Sequence, residues 1–156
     1  AEELLSDLDT KVVGYLRAAK AVAPYMKQQG WGRIINIGGL AARSAGAFSG
    51  MRNLALTHFT KTLSNELGPH GITVNIIHPG ATRTERTGPM QKSQAREQDL
   101  TMEEVERKAA AGIDIRRLVE SEEIAYLTTF LASPKASAIT GEAIAAGGGV
   151  GSAVFQ

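Results

Sequence analysis

The sequence predicts an α/β fold with a parallel sheet, on two observations. Nearly continuous apolar runs occupy Arg33 to Ile37 and Ile72 to Ile77, and each follows a long stretch with apolar residues at helical spacing. A run without polar alternation suits a strand covered on both faces, which is where parallel strands lie. Helix and strand alternating along the chain is the pattern that packs helices onto such a sheet. With a further strand at Glu142 to Ala146, right-handed crossovers place three strands side by side in chain order. Two long helices are then expected on one face and one helix on the other.

The first helix is read from Leu4, Leu5, Leu8, Val12, Tyr15, Leu16, Ala19, Ala23 and Met26, with Ser6 as a cap and Gly30 as the stop. The second runs from Ser49 to Leu67 with Met51, Ala55, Phe59, Leu63 and Leu67 on one stripe, and Gly68-Pro69 ends it. From Arg83 to Arg117 charges of both signs crowd the chain, and Thr101-Met-Glu-Glu104 is a capping-box signature for a helix inside that segment. Ser121, Glu122 and Glu123 open another helix, the acids favouring its positive end, and Ser133-Pro134 closes it. The last strand meets Gly147-Gly148-Gly149.

Composition narrows the function. With 17 basic and 16 acidic residues in 156, the net charge of +1 offers no electrostatic footprint for nucleic acid or an anionic membrane. No apolar run is long enough to span a bilayer. There are no cysteines, so thiolate chemistry is excluded, and with no signal-peptide pattern a cytoplasmic protein is expected. His58, His70 and His78 lie far apart in sequence, none at the short spacings of zinc ligands, and no metal site is expected.

One stretch carries the most information. Lys61-Thr-Leu-Ser-Asn-Glu-Leu-Gly68 is followed by Ile72-Thr-Val-Asn-Ile-Ile-His-Pro79-Gly80-Ala-Thr-Arg-Thr84, joining a helix, a strand and a Pro-Gly turn. It resembles the short-chain dehydrogenase/reductase family. Arg117 to Ala125 and Phe130 to Gly141 match that family's later segments, so the resemblance covers nearly all of the chain. It implies the C-terminal part of a Rossmann-like α/β/α layer structure with a parallel sheet over residues 1–156. It also implies NAD or NADP as cofactor and a small carbonyl or alcohol as substrate. No strand with a Gly-rich turn precedes residue 30, so the pyrophosphate-binding half is expected to be absent. Residues 83–117 fall where relatives carry a substrate lid, and residues 2–28 with 49–67 fall where relatives pair helices into a homodimer or homotetramer.

The resemblance also locates the family's catalytic tetrad. Counting back from Lys61, the catalytic Tyr falls at Ser49 and the Lys four residues later at Asn53; the Ser falls at Gly39 and the Asn at Lys11. The loop from Gly39 to Ser49 is shorter than in relatives, yet no Tyr lies between Tyr25 and Tyr126 to restore the pair. In relatives the Tyr hydroxyl, with a free pKa of about 10, is made more acidic by the adjacent ammonium. A Ser hydroxyl beside neutral Asn53 cannot do this, and Gly39 has no donor to polarise a carbonyl. The sequence therefore predicts an NAD(P)-dependent oxidoreductase with impaired chemistry, or a non-catalytic relative serving as an oligomeric scaffold. Ser49 reads as a helix cap before it reads as a nucleophile. Pro79, Gly80 and Thr84 are either the nicotinamide-side turn or a plain surface turn. Lys11 and Arg52 form either a basic rim or two solvated charges.

Overall fold

The computed structural model describes residues 2–45 and 48–151. It divides into two compact units, Ala1–His78 with Leu127–Ala145 and Pro79–Tyr126 with Ala146–Gln156.

The first unit opens with α1 (Glu2–Leu8), a π-helical turn over Asp9–Val13 and α2 (Gly14–Gln29). Helical spacing predicts one continuous helix here, and the chain is indeed helical throughout, but one wide turn interrupts it. Ser6 lies inside α1 and caps nothing. Gly30 stops α2 in the left-handed region at φ 66°, as its freedom from a Cβ allows. β1 (Gly32–Ile37) and α3 (Ser49–Leu67) follow, then β2 (Ile72–Pro79).

β1 pairs with β2 in parallel from Gly32↔Ile72 to Ile37↔Ile77. The last strand of the sheet is here numbered β5 (Ala143–Ala146), and the strand order is β1-β2-β5, which is chain order. Ile76 N–H donates to Glu142 O and Gly80 N–H to Ala146 O; the equal steps along both strands make this pairing parallel too. Every residue of β2 from Ile72 to His78 is buried, the mark of a central strand.

The core joins Ala19 of α2, Leu63 and Leu67 of α3, and Ile72 and Val74 of β2, with Ala23, Met26, Ile34 and Phe59 packed against it. Ile34 and Val74 are register partners, so both long helices cover one face of the sheet. Each fully buried Leu or Ile in that cluster contributes about 1.5–3 kcal/mol. Of the stripe expected on α3, Leu63 and Leu67 are in the core and Phe59 packs against it, but Met51 does not belong. Gly50, Asn53, Leu56, Thr60, Leu63, Ser64 and Leu67 are its buried residues, whereas Met51 is 53% exposed and Leu54 58%. Small and hydroxylated side chains face the sheet because α3 lies close to it, and their hydroxyls bond within the helix: Thr60 Oγ1 donates to Leu56 O at 2.8 Å.

The second unit contains β3 (Thr82–Arg83), α4 (Thr87–Gln98), α5 (Met102–Ala110) and β4 (Val119–Glu120). Thr101 caps α5 through the expected capping box: its Oγ1 accepts from Glu104 N–H while Glu104 Oε2 accepts from Thr101 N–H at 2.9 Å. α4 and the two-residue parallel pairing of β3 with β4 have no counterpart in the sequence reading, because the segment is too polar for its periodicity to show. Arg83 ties it together by donating to Glu106 and Glu120. α6 (Ser121–Ala132) begins where its acids predict and ends at Ser133, which caps the following turn.

Candidate active site

At the C-terminal end of β1 the chain runs Gly38-Gly39 into a short 3-10 turn, Leu40–Arg43. Neither glycine is open space. A Cβ on Gly38 would lie 2.5 Å from His78 Nδ1, and one on Gly39 would lie 2.9 Å from Asn53 Nδ2. β1, β2 and α3 therefore close on each other here: a side chain at Gly38 would press on the His78 ring, and one at Gly39 would displace the Asn53 amide.

His78 is 1% exposed. Its Nδ1 accepts from Gly39 N–H at 3.0 Å, which leaves the proton on Nε2, 3.0 Å from Thr57 Oγ1. Thr57 Oγ1 donates in turn to Asn53 O at 2.9 Å. An unbroken chain of hydrogen bonds thus links the Gly39 backbone to α3 through a neutral imidazole. Burial pushes the His78 pKa down, and the positive Arg43 adds to it. The sequence reading gave His78 no role. The signal was present: a histidine in an otherwise apolar buried run must find partners for both ring nitrogens.

Two cations gather beside this chain. Lys11 lies within the π-helical turn, where such turns frequently mark functional positions, and its Nζ reaches Gly38 O at 3.4 Å. The Lys11 pKa is lowered by burial first and by Arg52 second, with Asp7 opposing. Arg52 is ion-paired to Asp7. Tyr15, one turn beyond Lys11, donates to Ile37 O at 3.0 Å and pins α2 to the strand end. Among the described residues, Arg52 Nε and Asn53 Oδ1 are buried without a hydrogen-bond partner.

Of the four positions where the family's tetrad falls, Lys11, Gly39 and Asn53 converge on the end of β1. Ser49 is the first residue of α3 rather than its cap; Phe48 precedes the helix with helical angles and no side-chain cap bond. Gly50 explains the difference: a Cβ there would lie 2.6 Å from Ala41 O, so the helix start is set by packing on the 3-10 turn. The loop between Gly39 and Ser49 includes residues 46 and 47, which lie outside the described residues. In the second unit, Gly80 N–H is engaged with Ala146 O at 3.1 Å, and Thr84 is exposed with its N–H donating to Thr87 Oγ1 at 2.9 Å. Among the described residues no group of three His, Cys, Asp or Glu side chains is placed to hold a metal ion.

Comparison with known proteins decides the kinship. The family described as enoyl-(acyl carrier protein) reductase matches residues 1–151. The chain belongs to the short-chain dehydrogenase/reductase family. It is 38% identical over 151 residues to the NADPH-dependent reductase BacG of Bacillus subtilis, covering 95% of this chain and 58% of that protein. To the short-chain reductase protein NovJ of Streptomyces niveus it is 37% identical, covering 91% of this chain and 53% of the relative. The crystal structure of YwfH, an NADPH-dependent reductase involved in bacilysin biosynthesis, superposes with a TM-score of 0.88 at 36% identity over 98% of this chain and 60% of that one. The chain thus spans less than two thirds of the length of these relatives. The Rossmann-like fold and the parallel sheet expected from sequence hold. No helix among the described residues is long and apolar enough to cross a membrane.

Proposed function

We propose that this chain is the C-terminal part of a cytoplasmic NAD(P)-dependent oxidoreductase acting on a small carbonyl or alcohol, and that its chemistry by the family's usual Tyr-Lys route is impaired. The observation that carries the reading is the convergence of Lys11, Gly39 and Asn53 at the end of β1: the site's architecture is that of the family, while its acid is missing. A Ser49 hydroxyl with neutral Asn53 in place of the family's lysine four residues on cannot replace the phenol. When bound, the nicotinamide would exchange hydride with the substrate carbon.

The residues present fit that cofactor only in part. Pro79, Gly80 and Thr84 would hold the nicotinamide end, and Thr84 is exposed and able to do so. The Gly38-Gly39 pair, the one glycine turn that follows a strand in the first unit, is filled by His78 and Asn53 and leaves no room for a pyrophosphate. Residues 83–117 are assigned as the substrate lid. The test is carbonyl-dependent oxidation of NADH and NADPH. This chain alone is expected to show none, and a chimera joining it to the N-terminal half of the Bacillus subtilis reductase is expected to bind NADPH and turn over slowly. A folded chimera that binds neither cofactor would favour the scaffold reading instead.

One observation supports association in either case. Val22 and Tyr25 on α2 and Met51 and Leu54 on α3 are exposed, Tyr25 by 72%. Their cover is assigned to a second copy, since an isologous pairing presents the same patch twice. Leu54→Glu is expected to shift the chain to monomers in light scattering; a wild-type chain already monomeric at high concentration would remove this assignment.

A further inference from the structure

We propose that Lys11 is the proton donor of this site, its ammonium group taking over at the substrate oxygen the task that the family gives to its tyrosine. The proposal rests on the oxidoreductase reading and deepens it. The geometry begins with the π-helical turn, which carries Lys11 inward so that its Nζ reaches Gly38 O at the strand end. That bond, at 3.4 Å, is long for an ammonium to a carbonyl, and it can occupy only one of three N–H donors. The neighbouring residue is Gly39, where the family's hydroxyl side chain would stand.

The charges around Lys11 favour giving up its proton. Burial of the ammonium acts first and Arg52, facing it from α3, acts second, while Asp7, which opposes both, is engaged by Arg52; the His78 imidazole on β2 is neutral. A half-buried lysine so placed loses its proton more readily than one in water. In the reductive direction a bound reduced nicotinamide would supply hydride to the carbonyl carbon, and the carbonyl oxygen takes its proton from Lys11 Nζ. The products are an alcohol, the oxidised nicotinamide and a neutral amine, which recovers its proton from solvent. Asn53 Oδ1, buried and unpartnered, then accepts the hydroxyl proton of the alcohol and holds it in place.

The test needs no cofactor. The chain is incubated near neutral pH with propanal and cyanoborohydride, and alkylated lysines are mapped by mass spectrometry. A neutral amine adds to the aldehyde and an ammonium does not, so Lys11 is expected to react at least about fivefold faster than exposed Lys20, Lys92 and Lys108. Arg52→Gln should slow Lys11 toward the exposed lysines, and Asp7→Asn should hasten it; either variant suffices if the other fails to fold. Lys11 reacting no faster than the exposed lysines overturns the proposal, because a substrate carbonyl must reach it. Labelling that ignores both substitutions overturns it as well. In the active chimera, Lys11→Met should abolish reduction with NADPH binding unchanged, and Lys11→Arg should lose the basic limb of the pH profile; full activity in Lys11→Met overturns the proposal and leaves the oxidoreductase reading standing. Selective labelling in a chimera that binds NADPH and never reduces a carbonyl would defeat the oxidoreductase reading and the proposal with it.

Discussion

Two clusters of buried polar groups flank β2, and they are built on opposite terms. On the side of β5, Asn75 Nδ2 donates to Ile139 O at 2.8 Å, its Oδ1 accepts from Glu142 N–H at 3.1 Å, and Thr140 Oγ1 accepts from Val74 N–H at 3.0 Å. Each of these groups meets a partner, and together they fix where β5 starts. On the side of β1, a half-buried lysine holds one long bond while Asn53 Oδ1 and Arg52 Nε hold none. A satisfied cluster stabilises; an unsatisfied one costs about 1–3 kcal/mol for each orphaned group. The fold is held by the first cluster, and the second leaves Asn53 Oδ1 and Arg52 Nε without partners.

The largest effect should come from breaking the satisfied side. Asn75→Leu strands Ile139 O and Glu142 N–H at once, and urea unfolding should show a loss of about 3 kcal/mol. Gly38→Ala is next. Its Cβ would press on His78 Nδ1 at 2.5 Å, and overpacking of this kind costs about 1–3 kcal/mol. Repair of the tetrad is less demanding: Gly39→Ser meets only Asn53 Nδ2, the end of a flexible side chain, at 2.9 Å, so it should be tolerated with a small shift of that amide.

A pH titration of stability sharpens the comparison further. His78 has a depressed pKa in the folded chain, so below about 6.5, its unfolded value, the unfolded state binds the extra proton. Stability from this group is therefore complete above that pH and falls as pH is lowered. His78→Gln should flatten the slope between about pH 6.5 and 5, measured by denaturant midpoints. No loss is expected at the orphaned group itself: Asn53→Leu removes an unpaired buried oxygen whose burial costs about 1–3 kcal/mol, and should leave stability unchanged or raise it. A loss equal to that of Asn75→Leu would show that the Asn53 amide is held by the fold just as the Asn75 amide is, and the contrast would fail.

The three strands of the main sheet and the helix ends at Gly30, Gly68-Pro69 and Thr101 were legible from local signals, and strand order followed from right-handed crossovers; β3, β4 and α4 were not, and neither Ser6 nor Ser49 caps a helix. The buried face of α3 was not legible either. Met51 looks like a core residue, and Thr60 and Ser64 do not, yet closeness to the sheet selects small side chains whose hydroxyls donate to carbonyls of the helix. Of the candidate site, the family register located Lys11, Gly39, Ser49 and Asn53, and it was silent on His78, Thr57 and Asp7, whose roles arise from partners distant in sequence. The π-helical turn was illegible for a different reason: one extra residue in a helical turn barely disturbs apolar periodicity.

Gly30 and Gly71 meet back to back below the sheet. Both are left-handed, and a Cβ on Gly71 would lie 2.3 Å from Gly30 O. β1 and β2 start from this shared datum and keep an offset of 40 residues through every pair from Gly32↔Ile72 to Ile37↔Ile77. Carried one step on, the same offset sets Gly38 level with His78. The alignment of the polar end of the sheet is thus decided at its far end, about 20 Å away at the rise of a strand. Deleting or inserting a single residue in either strand would leave both turns intact and yet bring His78 level with Ile37 or Gly39, so these segments should tolerate substitution far better than any change in length.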